Sequence, residues 1–517
     1  MHCLTFDFLA SFADEKRNVV PNWRDYNKTA KLGEFGGVAV VTNPLKLFPI
    51  DEYVVSWENN RSIPYAGDLV SAAILNEQQT NPAAIDAAKF IILHKDEATS
   101  VLVRTAQSMI ATPEENFVAS QMSVRQKIEK IRDQEDFVRG KIRLLKKSRD
   151  YCCFNPIAFC ELARCYVTLG QFEKARDAME IALHLAPNHR YICRSAARFF
   201  LHIHDEDRAR YVIARNPALL KDPWLLASEI AINTLMGRTS KNIKKGSELI
   251  VSNDYSPFSI SELSSAIGSV EMMAGNKKKC RFYFNTALQK PNDNSLAQAK
   301  FLLSKHSDLS FKYGEDIAIP NSFEADAIAA YISEDYSKSL EAAVDWIEDM
   351  PFTSRPVQFA ANLTYSFLKD YDTAVEILDL GLKANPNNPS LLNNKAYVCA
   401  LSGNIVEAQL AIQEAKRLQM STTVKVCLLA TEGLTEFRIG NIEEGRELYA
   451  RAIQLAKTSS NDSHLINTAI LNFIREEVRA NKDFDKSYLE VINKIPDDCK
   501  ETIQLKKDIQ FEIGLSM

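Results

Sequence analysis

A chain of 517 residues exceeds what one hydrophobic core supports, so it is several domains or a structure that grows by stacking. Its 46% hydrophobic and 25% charged residues are ordinary for a soluble globular chain, and a net charge of −5 supplies no global pull toward nucleic acid or membrane. Its 17 glycines and 18 prolines are too few for an all-β chain or long disordered linkers.

Residues 1–62 read differently from the rest. The stretch FGGVAVVTNPLKLFPIDEYVVSW, with Val38 to Thr42 and Val54–Val55, predicts extended segments or a small hairpin. The first residues lack a basic start, an apolar core and a small-residue cleavage site, so no signal peptide is expected. The acids Asp7, Asp14, Asp25, Asp51 and Glu52 have no partner carboxylates at a metal-binding spacing, so no nuclease-like centre is expected.

Residues 63–150 read as an α-helical domain that caps the rest of the chain. Its segments are DLVSAAILNEQQ, then PAAIDAAKFIILHK after a break at Asn81–Pro82, then Thr99 to Ile110 and Glu115 to Asp150. The last carries 10 basic residues against four acids between Arg125 and Arg149. Lys141, Arg143, Lys146, Lys147 and Arg149 form a candidate patch for nucleic-acid phosphates or an acidic partner. The same helix has an apolar face (Ile128, Ile131, Val138, Ile142, Leu145), which makes most of the basic groups its solvated side.

From Pro156 to Pro187 two helical patterns flank a turn at Gly170. Leu162, Ala163 and Tyr166 share one face, and Ala175, Met179, Ala182 and Leu183 share the other. The pattern recurs with Ala196, Ala197, Phe200 and Ala209, and weakly around Gly275. It recurs clearly from Arg355 to Pro386 (Tyr365, Ala374), with Lys369 where the turn glycine is expected. Two further units contain Ala396, Gly403 and Ala408, and Gly433, Gly440 and Ala452. Small residues belong where helices approach closely, because a larger side chain there overpacks at about 1–3 kcal/mol.

This order of residues resembles the tetratricopeptide repeat, a helix–turn–helix unit of about 34 residues. The resemblance implies an all-α, right-handed α-solenoid over residues 151–460, closed by capping helices over 461–517, with a small mixed α/β segment at the N-terminus. It also implies that the first helix of each pair lines a concave face that binds extended peptides or helices. By slot, the lining residues are Glu161 and Arg164, then Phe359 and Leu363, then Asn393, Asn394 and Tyr397, then Phe437 and Arg438. Family members that grip a C-terminal carboxylate use lysine, arginine and asparagine in adjacent repeats. This chain keeps Asn394 but has Ala360 and Thr431 at the equivalent slots, which departs from that set.

No catalytic constellation emerges. His202, His204, Asp205 and Asp207 have metal-ligand chemistry but do not share a helix face. The 10 cysteines fall mostly in apolar helical patterns without zinc or redox spacing, as reduced thiols of a cytoplasmic protein would. No phosphate-cradling, nucleophile-elbow or HExxH motif occurs, and no apolar run is long enough to span a bilayer. The expectation is a non-enzymatic cytoplasmic scaffold with no metal, no cofactor and no membrane contact, binding a protein or peptide. The alternative is a regulatory or sensor subunit of an effector or nucleic-acid-associated complex, contacting nucleic acid or an acidic partner through helix 125–149. Self-association is open in either case.

Overall fold

The computed structural model describes residues 17–26, 50–75, 78–110, 123–148, 153–252, 254–306, 308–312, 319–459, 463–481, 485–497 and 499–514. These form 25 α-helices and one π segment, with no strand among the described residues. They divide into two compact units, one of residues 17–126 and 133–328, the other of residues 127–132 and 329–514. The division falls inside the stretch read from sequence as one array.

The first unit opens with α1 (Ile50–Asn59), α2 (Ile63–Leu75), α3 (Pro82–Leu93) and α4 (Ser100–Ile110). Helix α1 corrects the expectation that Val54 and Val55 are extended; the other expected run, Val38 to Thr42, lies outside the described residues. Two β-branched residues cost a helix only about 0.5 kcal/mol each. Against this, Asp51 and Glu52 sit in the first turn, where carboxylates favour the helix, and Trp57 is buried against Phe90. Burying one such side chain contributes about 2–3 kcal/mol, so packing decides the conformation. Pro82 opens α3 as expected, with Asn81 capping the amides of Ala83 and Ala84. Helix α5 (Val124–Lys147) starts at a capping box made by Ser123 and Gln126.

Helix pairs come next. They are α6 (Pro156–Thr168) with α7 (Phe172–Leu185), α8 (Arg190–His202) with α9 (Glu206–Ala214), α10 (Pro223–Leu235) with α11 (Ile243–Val251), and α12 (Ser261–Met273) with α13 (Lys277–Ala287). Then come α14 (Asp293–Lys305) and α15 (Phe323–Ile332). The first helices α6, α8, α10, α12 and α14 contact one another in sequence, as a row.

The second unit holds α16 (Tyr336–Asp349), α17 (Ser354–Asn362) continued by the π segment Leu363–Phe367, and α18 (Tyr371–Ala384). It continues with the pairs α19 (Pro389–Ser402) with α20 (Ile405–Lys416) and α21 (Thr422–Ile439) with α22 (Ile442–Ser459). The stretch read as a cap is three helices: α23 (Ser463–Ala480), α24 (Ser487–Lys494) and α25 (Lys500–Glu512).

One backbone device repeats at the pair turns. Gly170, His204, Gly237, Gly275, Glu334, Lys369, Gly403 and Gly440 all have positive φ, between 58° and 91°. The next residue donates its N–H back over the helix end, as in Gln171 to the Tyr166 carbonyl and Asn404 to that of Cys399. At Lys369 the bond from Asp370 reaches Thr364 instead, one residue further back, because the π segment inserts a residue just before the turn. Glycine is the residue that adopts this conformation without strain, yet three of the turns are His204, Glu334 and Lys369.

Helices α21 and α22 meet at Gly433 and Gly445. A Cβ on Gly445 would lie 2.5 Å from the Phe437 ring and 3.1 Å from the Gly433 carbonyl oxygen. Gly445→Val is expected to lower stability by roughly 2 kcal/mol in urea denaturation. Gly140→Ala on α5, where an added carbon meets nothing within 4 Å, is expected to raise it by about 0.5–1 kcal/mol. Equal effects would remove close packing as the cause.

Burial lowers His189 to about 4 and His202 to about 3, with neighbouring arginines adding in the same direction. The folded chain therefore holds both imidazoles neutral while the unfolded chain protonates them near pH 6.5. Their contribution is present above pH 6.5 and is lost progressively as the pH falls toward 3–4. His202→Phe is expected to flatten the loss of urea-midpoint stability between those limits. An unchanged slope would assign the acid sensitivity elsewhere.

Candidate functional site

The row of first helices in the first unit is not bare. Residues Arg17 to Tyr26, which have no regular structure up to Asp25, lie on it as a strap. Pro21 lacks an amide hydrogen and disfavours helix at Val20, which keeps the segment open. Val19 and Trp23 are fully buried, and Arg17, Asn18, Arg24 and Tyr26 are nearly so.

The strap runs opposite to the order of the helices. At its C-terminal end the Tyr26 amide donates to Glu161 on α6 (3.0 Å), and the Tyr26 ring meets Tyr191 of α8 edge-on at 5.6 Å. Tyr191 donates its hydroxyl hydrogen to the Arg24 carbonyl at 3.4 Å. Trp23 packs edge-on against Phe199 of α8 (6.1 Å), and Val19 joins the core of Leu226 and Ile230 (α10) with Leu263 and Ile267 (α12). The Arg24 guanidinium pairs with Asp293 on α14 at 2.5 Å, and Asn22 donates to the same carboxylate at 2.9 Å. Asn294 donates to the Val20 carbonyl (2.9 Å) and Gln298 to the Arg17 carbonyl (3.1 Å). Arg17 ends the series with a two-pronged bond to Glu324, both arms at 2.9 Å.

Charge on this floor is matched inside the protein. Glu161, 1% exposed, accepts from Lys141 at 2.9 Å, and Lys141 and Arg164 both reach Asp25 of the strap, at 2.5 and 3.3 Å. Burial alone would lower the Lys141 ammonium, but Glu161 and Asp25 together raise it above its ordinary value. The same opposition holds Arg164 above its ordinary value. Further along, Glu262 accepts from Arg194 (2.8 Å), Asn292 (2.9 Å) and Asn294 (3.2 Å). Burial pushes the Cys160 thiol up to about 12, far from a reactive thiolate.

The sequence-derived residues thus fall into two settings. Glu161 and Arg164 lie under the strap. In the second unit the corresponding faces lie under α23 and α25. Phe359, Leu363 and Asn393 are fully buried, and Asn394, Tyr397 and Phe437 nearly so. Thr431 donates to Asn393 (3.0 Å), Tyr397 to Asn472 (3.0 Å), and Arg438 pairs with Glu476 (2.8 Å). Glu501 of α25 accepts from Tyr331 and Asn362, each at 2.9 Å.

The basic helix is answered by acids in part. Lys141 belongs to the strap network, and Lys127 and Lys130 pair with Asp345 (2.6 Å) and Glu348 (2.7 Å) in the second unit. Lys146 stands over the Tyr166 ring at 5.7 Å, Arg143 and Lys147 are exposed, and Arg149 lies outside the described residues. His202 faces the Phe172 ring, His204 is a turn residue, Asp205 caps α9, and Asp207 pairs with Arg238 at 3.5 Å. Asp7 and Asp14 lie outside the described residues. No group of three or more metal-ligating side chains comes together among the described residues, and none of the described helices is long and apolar enough to cross a membrane.

Sequence reasoning missed the strap and its receivers Asp293, Asn294 and Gln298. One signal was available: Trp23 stands in a proline-containing stretch with no helical pattern, and a tryptophan there needs a burial site supplied from elsewhere.

A family model described as Tetratricopeptide repeat matches residues 157–189 and 361–388. No curated protein sequence matches the chain. Among solved structures, the APC/C hetero-tetramer Cut9–Hcn1 is similar at 11% identity, covering 90% of this chain and 92% of that chain with a TM-score of 0.31. The human IFIT1 dimer with m7Gppp-AAAA is similar at 13% identity, covering 83% and 97% with a TM-score of 0.33.

Asp293→Ala leaves Arg24 out of water without its carboxylate, an expected cost of about 3–5 kcal/mol concentrated in the strap. Hydrogen exchange of amides 17–26 is expected to accelerate strongly in this variant. The pair Arg24→Met with Asp293→Leu removes both charges and is expected to cost far less. Unchanged protection in Asp293→Ala would show that the ion pair does not hold the strap.

Proposed function

The chain is built on tetratricopeptide repeats, and from that premise we propose that it is a protein-interaction scaffold whose first-helix groove, in the first unit, receives an extended peptide segment of a partner. The observation that carries this reading is the strap itself, an irregular segment already held there through its backbone. Asn294, Gln298 and Tyr191 donate to strap carbonyls, and Glu161 accepts a strap amide. Such main-chain bonds fit any extended peptide, while the side-chain sites select. They favour an apolar residue at the Val19 position, an aromatic ring at Trp23, and cations at Arg17 and Arg24.

In this reading the strap is the resident ligand and a partner of the same pattern takes its place. A tethered segment competes at an effective concentration on the millimolar scale, so a partner must bind well or find the strap loosened. The role is binding rather than catalysis. The residues Phe359, Leu363, Asn393, Asn394, Tyr397, Phe437 and Arg438 then serve the second unit's own packing. Nucleic-acid contact through helix 125–149 is not part of the proposal, since Lys127, Lys130 and Lys141 are paired with carboxylates.

The test uses the full chain and a fluorescently labelled peptide of residues 16–27. The strap-release variant Trp23→Ala with Arg24→Ala is expected to bind the peptide at least about tenfold more tightly than wild type, whose own strap competes. Adding Asp293→Lys to that variant is expected to abolish binding. If neither chain binds the peptide while circular dichroism shows both folded, the strap is a fixed part of the fold and the groove is not a peptide site.

A further inference from the structure

A second concavity lies away from the strap, where the loop after α9 meets the turn before α11. Its volume is about 740 Å³, within the range of small-molecule sites. Arg210, Arg215, Lys221 and Lys241 line it together with one acid, Glu229. None of the four cations forms an ion pair among the described residues. Arg210 is notable in a second way: its Nε–H is buried and has no acceptor among the described residues. Arg210 is half-buried, and a buried N–H left without an acceptor carries a desolvation cost that an arriving acceptor would relieve.

Glu229 is one carboxylate against four cations, so the lining keeps a net positive charge. The Glu229 carboxylate is nearly buried and accepts from Ser240 (2.6 Å) and from the Asn233 side chain (2.7 Å). These bonds fix Ser240, whose hydroxyl in turn accepts from the Asn242 amide at 3.0 Å and shapes the turn carrying Lys241. Helix α11 starts at this rim, and Asn242 gives its first turn no side-chain cap, which adds uncompensated positive potential. Pro217, Leu219 and the half-exposed Leu220 supply the apolar part of the lining.

We propose that this pocket binds a small organic phosphate, with its phosphate groups on the arginine and lysine side and its organic part on the proline–leucine wall. Arginine suits the first task because its planar fork meets two phosphate oxygens at once. A bounded volume of about 740 Å³ with both cationic and apolar lining suits a single small molecule that carries phosphate and an organic part. The site shares no residue with the strap groove, so it stands or falls separately from the peptide-binding reading.

The experiment is calorimetric titration of the full chain with ATP and with inorganic tripolyphosphate, at physiological salt. Saturable binding of one ATP per chain is expected, several-fold tighter than tripolyphosphate because only ATP reaches the apolar wall. Arg215→Glu with Lys241→Glu, both exposed loop positions, is expected to weaken ATP by at least about tenfold with an unchanged thermal melt. Leu220→Asp is expected to weaken ATP and leave tripolyphosphate unaffected. Absence of ATP binding up to about 1 mM would overturn the proposal. So would ATP binding that the charge reversal leaves intact. A single-stranded RNA that binds through the same four cations while ATP does not would reassign the patch to a nucleic-acid backbone.

Discussion

Asp293 is a carboxylate nearly out of water, and Arg24 is the cation that makes its burial tolerable. Withdrawing either charge alone costs several kcal/mol, so each requires the other. One sits on the fifth helix of a row and the other on a segment with no regular structure, and their pairing sets the path of that segment. Once Arg24 is anchored, Trp23 reaches Phe199, Val19 enters the seam between α10 and α12, and Arg17 arrives at Glu324.

The two units meet the same difficulty in different ways. The first helix of each pair presents polar groups on its inner face: Glu161, Glu262, Asn294 and Gln298 in one unit, Asn362, Asn393, Asn394 and Tyr397 in the other. Buried polar groups must find partners. In the second unit they find side chains of helices, Asn472, Arg475 and Glu501, whose backbones are already bonded within the helix. In the first unit Glu262 also finds side chains, but Glu161, Asn294 and Gln298 find the amides and carbonyls of the strap backbone. The first arrangement rests on side chains alone, whereas the second also uses main-chain bonds to a segment without regular structure.

Much of the repeat fold was legible. Small residues at helix crossings and the glycines Gly170, Gly403 and Gly440 marked pairs and turns, because the backbone there tolerates little else. Glu334 was invisible as a turn residue, since the helix end imposes its conformation and its side chain carries no signal of it. Val54 and Val55 misled for the opposite reason: their local preference lost to the burial of Trp57. Glu161 and Arg164 lie on α6 under the strap, and what covers them was not readable in the sequence. A pairing between residues 269 positions apart leaves no periodic trace in either segment.

That separation also fixes an order of events during synthesis. Chains grow at about 5–20 residues per second, so Arg24 is added roughly 13–54 seconds before Asp293. Until α8, α10 and α12 have been made, Trp23 and Val19 are exposed apolar groups without a host, and until α14 follows, Arg24 lacks the Asp293 carboxylate. Until α14 is complete, the nascent strap is a segment that chaperones can hold and that other grooves can capture.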